Sequence, residues 1–166
     1  VVAGNSAAAN IEGFVYVAMN SFYQATISFV SQNFGAGKYE RINKIVIRGE
    51  ACVIAVGVVL GNLAVIFGEQ LLSIYSNNPE VIAAGMVRLG IISRTYALCG
   101  IMDVMVGALR GIGYSIMPMI VSLVGACGLR LLWIATVFRI PEYHRIETVY
   151  LSYPITWIIT FTVHII

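Results

Sequence analysis

The chain has 166 residues, of which 59% are hydrophobic and only 11% charged, with a net charge of +2. A soluble domain carries about 25% charged residues, so this chain lacks the side chains for a water-facing surface. Its mean hydropathy of +0.87 also excludes disorder, which needs low hydrophobicity. The small net charge argues against a nucleic-acid partner. What remains is a polytopic membrane helix bundle of all-α class. The sequence starts Val1-Val2-Ala3 and ends inside an apolar run, Thr160 to Ile166, so a fragment of a longer protein is expected. No signal peptide is visible at Val1.

A membrane helix needs about 20 mostly apolar residues. Such runs predict about five transmembrane helices, at approximately 12–34, 45–68, 84–109, 115–138 and 148–166. Phe14 to Phe34 and Ala51 to Gly68 are uncharged. The third run carries Arg88, Arg94 and Asp103, and the fourth carries Arg130. Helices are expected because backbone groups in lipid must be satisfied within their own segment. Barrel strands would be alternating segments of about ten residues, a pattern missing here.

The connections read as short polar turns. Gly35 to Lys44 is glycine-rich and basic, Glu69 to Glu80 holds Ser76-Asn77-Asn78-Pro79, Arg110 to Tyr114 is a tight glycine turn, and Arg139 to Glu147 holds Pro141. Ser115 with Pro118 reads as a capped helix start. Gly57 and Gly61 have the spacing of a close helix contact. Lys38, Arg41, Lys44, Arg48 and Arg110 outnumber Arg139 and Arg145 on the opposite side. The excess of basic residues places the turns at 35–48 and 110–114 in the cytoplasm of a multi-pass plasma or inner-membrane protein, with Val1 to Asn10 outside. Trp133, Tyr143, Tyr150 and Tyr153 are placed as an aromatic belt would be.

Cys52, Cys99 and Cys127 are far apart in apolar runs and form neither a metal site nor a disulfide framework. His144 and His164 have no nucleophile or metal partner at usable spacing. Neither catalysis nor a cofactor is expected.

At 100° per residue, Glu12, Tyr16, Asn20, Tyr23, Gln24, Ser28 and Ser31 fall on one face of the first span. Val15, Ala18, Met19, Phe22, Ala25, Thr26 and Phe29 fall on the other. Tyr16, Asn20, Tyr23 and Gln24 are expected to line a substrate cavity, since polar groups in lipid turn toward a bundle or an aqueous path. Interhelical hydrogen bonding is the plainer alternative. Glu12, at the outer end of this face, is either an interfacial charge or a carboxylate at the mouth of a pathway. Asp103 lies within the third span and shares a face with Tyr96 and Arg110. It is expected to handle a cation or proton, or to pair with Arg110. Arg94 points away from Asp103, and Arg130 has Glu12 as a conceivable partner.

Three motifs carry a family likeness. Ser31-Gln32-Asn33-Phe34-Gly35-Ala36-Gly37-Lys38, Asn77-Asn78-Pro79-Glu80, and Ala108 to Ser115 followed by Pro118-Met119 occur in this order. They resemble turns of the multidrug and toxic compound extrusion (MATE) transporters. The resemblance spans the whole chain, 1–166, and matches the C-terminal lobe from the end of the seventh helix into the twelfth. It implies a twelve-helix, two-lobe antiporter that exports drugs and organic cations against entering sodium or protons. The implied partners are the lipid bilayer, small organic cations and the N-terminal lobe of the same chain, with no nucleic acid. Aligned on the Arg110-Gly111 turn, the family's coupling carboxylate on the tenth helix falls at Cys99, and Asp103 lies one turn closer to the cytoplasm. A lipid-linked precursor flippase of the same superfamily would need more cationic residues in the spans. A membrane-embedded enzyme would need clustered His, Asp or Glu. A non-transporting scaffold would show no response to organic cations.

Overall fold

The computed structural model describes residues 1–165. These form helices joined by short turns, with no strand among the described residues. Helix α1 (Val2–Gly35) begins well before the expected first span, because the small Ala-rich segment from Val2 onward is itself helical. The break to α2 (Tyr39–Ile66) occupies only residues 36–38. It turns on Gly37, whose φ of +68° is left-handed and suits glycine. The basic turn expected over Gly35 to Lys44 is therefore mostly helix: Arg41 and Lys44 lie in the first turns of α2.

Beyond α2 a short helix, α3 (Gly68–Ser73), fills the first part of the expected second loop. Helix α4 (Pro79–Ile92) starts at Asn78, whose Oδ1 accepts the Glu80 N–H at 2.9 Å. Proline sits at the first helical position, where its missing N–H costs little. A 3₁₀ turn at Ser93–Thr95 joins α4 to α5 (Tyr96–Gly111), and the next turn rests on Gly113 with φ +100°. Helix α6 (Ile116–Ser122) follows Ser115. Ser115 holds the N-cap position, but its side chain makes no capping hydrogen bond. A π-helical turn at Leu123–Gly128 leads into α7 (Leu129–Thr136), and α8 (Ile146–Ile165) completes the described chain. Ile166, the last residue of the expected fifth span, lies outside the described residues.

Three segments are long and apolar enough to cross a membrane: Tyr39–Ile66, Pro79–Gly111 and Ile116–Arg139. Helices α1 and α8 have the length, at 34 and 20 residues. Their Asn, Gln, Ser, Thr and Tyr positions keep them below the same standard of hydropathy.

Helix α1 packs most extensively on α2 and α5, then on α4, and α8 packs on α5 and α4. Helices α1 and α5 run parallel: Gly107 lies against Tyr23, and Gly111 against Val30. Helix α2 returns between them. Its Gly57 meets Met19 and Ala97, and its Gly61 meets the Ser93 backbone at the 3₁₀ turn. The expected GxxxG contact therefore exists, and it grips the α4–α5 junction. One apolar cluster joins Ala7, Ala8, Ile11, Val15, Ala64, Leu72 and Leu89. A second joins Met19, Val53 and Val104, and a third joins Ile92, Cys99, Met102, Tyr150 and Trp157. Tyr96, at the start of α5, packs against all three.

Candidate functional site

The face of α1 that packs inward is largely the apolar one: Val15, Met19 and Thr26 are buried. Its polar neighbours stay more accessible, with Tyr16 and Gln24 exposed and Asn20 and Tyr23 half-buried. They do not vanish into the core of this bundle, because the apolar face already fills it.

Tyr16 and Tyr23 line a groove of about 210 Å³ together with Met102, Asp103, Val106 and Arg110 of α5 and Ser122 of α6. The structure thus brings together two of the expected cavity tyrosines and the expected acid. Asn20 and Gln24 lie outside that lining. Arg110 does not turn to Asp103. Its Nη1 donates to the Tyr23 hydroxyl at 2.6 Å, which leaves the Arg110 Nε buried without an acceptor. Among the described residues, no hydrogen bond or ion pair reaches Asp103. The groove therefore presents the Asp103 carboxylate and the Tyr16 phenol to an incoming group, beside a Tyr23 hydroxyl held by Arg110 and a Ser122 hydroxyl that meets His164. The larger cleft between α1, α2 and α3, about 590 Å³, is lined by Ile11, Phe14, Leu60, Leu63 and other apolar residues. It lacks charged groups of this kind.

Toward the other end of α1, Glu12 departs from the first of its two expectations. It is only 4% exposed, so it is not an interfacial charge in contact with water. Arg88 of α4 holds it in a two-pronged bond, Nε to Oε1 at 3.0 Å and Nη2 to Oε2 at 2.8 Å. The Arg88 Nη1 donates to Asn5 Oδ1 of α1. The rings of Tyr150 and Tyr153 stand 5.9 and 5.8 Å from the guanidinium carbon. Arg130, for which Glu12 was a conceivable partner, instead stacks on Tyr153 at 3.7 Å. Its Nη2 reaches Thr156 Oγ1 only at 3.4 Å. The expected aromatic belt is corrected in part: Tyr150 is buried, and Tyr153 packs between two arginines and Trp157.

Tyr96 bridges the two polar regions, with its ring centroid 6.5 Å from Tyr16 and 5.7 Å from Trp157. Arg94 is exposed on the 3₁₀ turn, away from the groove. His164 meets Ser122 at 3.2 Å, and His144 stacks on Phe138. All three cysteines are free thiols; Cys99 is buried, and Cys52 and Cys127 are exposed. The Glu12–Arg88 pair was beyond sequence reasoning. Arg88 was visible as a charge inside a span, and its cost in lipid was the one signal that it needed an acid.

Tyr16, Tyr23, Asp103, Arg110 and Ser122 thus give one groove a polar lining in a bundle with three segments apolar enough to cross a membrane. A family model described as MatE matches residues 1–135. The chain belongs to the MatE family. It is a multi-pass membrane protein, and MatE is a family of transporters, not of enzymes. This MatE chain is 26% identical over 129 residues to the "Probable multidrug resistance protein NorM" of Thermotoga maritima, covering 78% of this chain. It spans 28% of that relative's length. No solved structure matches it at a significant level.

Proposed function

We propose that this chain is the C-terminal lobe of a secondary transporter that exports organic cations in exchange for sodium ions or protons. The observation that carries the reading is the groove in which Asp103, with no partner among the described residues, faces Tyr16, Tyr23 and Ser122. A carboxylate inside a span marks a cation or proton path. Aromatic faces attract organic cations, so Tyr16 and Tyr23 would hold the substrate, and Asn20 and Gln24 would extend the polar wall of α1. Glu12 is the second cation-handling carboxylate.

The orientation follows from the basic residues: the turns at Gly37 and Gly113 face the cytoplasm of the cell membrane. Both lie at the same end of the parallel helices α1 and α5. A second lobe of the same chain would close the groove. Three arginines of the spans are already engaged, Arg88 with Glu12, Arg110 with Tyr23 and Arg130 with Tyr153, and Arg94 is exposed on the 3₁₀ turn away from the groove. That weighs against a cavity built for lipid-linked phosphates.

The test is Asp103→Asn in the full transporter, reconstituted in liposomes with an imposed sodium or proton gradient. Ethidium efflux should lose its ion dependence. Efflux with unchanged rate and unchanged ion dependence removes Asp103 from the mechanism.

A further inference from the structure

Glu12 spends both carboxylate oxygens on Arg88. A carboxylate so engaged has no room for a coupling ion, which must first displace the guanidinium. The fold gives that guanidinium other partners beside the carboxylate. Asn5 Oδ1 already accepts from Nη1, and Tyr150 and Tyr153 offer ring faces at 5.9 and 5.8 Å. A planar guanidinium can stack on such rings and keep donating to the Asn5 amide oxygen. The titratable and charged groups around Glu12 are Arg88 from α4, Tyr96 from α5 and, beyond Arg88, Tyr150 and Tyr153 from α8 with Arg130 of α7 stacked on Tyr153.

We propose that Arg88 is a built-in competitor for the coupling-cation seat at Glu12. It occupies the carboxylate when the seat is empty, and gives the carboxylate up when a proton or sodium ion arrives, while Asn5, Tyr150 and Tyr153 keep hold of the guanidinium. The inference rests on the reading of Glu12 as a cation-handling carboxylate. Arg88 touches no substrate in this scheme and is a positioning residue. The charges balance: the empty pair is neutral, and the loaded cluster carries one positive charge. The incoming ion sits on a Glu12 oxygen, and the guanidinium keeps all its protons. Two consequences follow. The empty seat never exposes an unpaired carboxylate to the bilayer interior, which would be costly. Ion affinity is set by competition with an internal cation, and loading the seat alters the link from α1 to α4 and α8.

The experiment compares the full transporter with Arg88→Gln, Arg88→Lys, Glu12→Gln and the Glu12→Gln/Arg88→Gln double variant in liposomes. Ethidium efflux is read against sodium concentration at fixed pH, and against pH without sodium. With the competitor removed, Arg88→Gln should reach half-maximal efflux at a sodium concentration lower by at least about fivefold, or at a correspondingly higher pH. Arg88→Lys, a point charge without the two-pronged geometry, should shift in the same direction by less. The double variant should match Glu12→Gln alone. A midpoint unmoved in both Arg88 variants, while Glu12→Gln abolishes ion dependence, overturns this inference and leaves the reading of Glu12 standing. Unchanged ion dependence in Glu12→Gln overturns that reading and the inference with it. If Arg88→Gln does not fold, Arg88→Lys decides by the same midpoint.

Discussion

Arg110 binds the Tyr23 hydroxyl at 2.6 Å across 87 positions of sequence, and so passes over Asp103 on its own helix. The pair ties the cytoplasmic end of α5 to α1, and it fixes one wall of the groove that Asp103 shares. The hydroxyl is the single hydrogen-bond acceptor that the structure gives this guanidinium among the described residues, whose Nε is buried and unsatisfied.

Tyr23→Phe should therefore be destabilising out of proportion to one oxygen atom. Hydrogen bonds to charged groups contribute about 1.5–3 kcal/mol, and the loss leaves a half-buried cation with nothing to donate to. The thermal unfolding midpoint of the purified transporter should fall. In a double-mutant cycle, Tyr23→Phe should cost little once Arg110 is replaced by Gln. A full cost in both backgrounds would mean that Tyr23 acts independently of Arg110.

Gly61→Ala should disrupt the junction between α4 and α5. A Cβ at Gly61 would clash with the Ser93 carbonyl oxygen, which is backbone and cannot rotate away, whereas one at Gly13 would meet nothing. Overpacking of this kind costs about 1–3 kcal/mol. Gly61→Ala should lower the unfolding midpoint, and Gly13→Ala should leave it unchanged or raise it, since alanine favours helix. Equal midpoints for the two variants would contradict the packing of α2 on the 3₁₀ turn.

The Gly61 contact was legible in the sequence, and the Arg110–Tyr23 bond was not. The Gly57 and Gly61 spacing announced a close helix approach, and hydropathy with turn chemistry announced helices broken near Gly37, Pro79 and Gly113. Those signals are local, because lipid forces each segment to satisfy its own backbone. The partner of Glu12 was not legible. Arg88 lies 76 positions away, and which face of α4 meets α1 is decided by packing. The packing of the first span was hidden for a related reason. Helical angle separates a polar face from an apolar one, but periodicity cannot say which face the neighbouring helices cover. The apolar face packs on α2 and α5, and the tyrosines remain at the groove. The early starts of α1 and α2 were hidden because helix runs on through the small residues after Val2 and the charged residues after Tyr39, where hydropathy marks no end.

Tyr153 should tolerate loss of its hydroxyl but not of its ring. The Arg130 guanidinium carbon lies 3.7 Å from the ring centroid, and the ring also meets Trp157 edge-on at 5.8 Å. A cation over an aromatic face contributes about 0.5–2 kcal/mol. Tyr153→Phe should keep the unfolding midpoint within a degree or so, whereas Tyr153→Leu should lower it by several degrees, on the order of that energy for a domain of this size. An equal loss in both variants would assign the contribution to the hydroxyl instead.

Glu50 on α2 presents the opposite situation, a carboxylate with nothing to lose. Both oxygens are shut off from solvent, and neither finds a donor among the described residues. Burying an acid without hydrogen bonds is costly, whichever protonation state it takes. Replacing buried charged groups by apolar side chains of similar volume is often neutral or stabilising by about 1–4 kcal/mol. Glu50→Leu should accordingly hold or raise the unfolding midpoint of the transporter. Glu50→Gln should gain less, because its amide brings donors that are equally unsatisfied. A clear drop in Glu50→Leu, with ethidium efflux also lost, would show that Glu50 is held by a partner outside the described residues and belongs to the transport path.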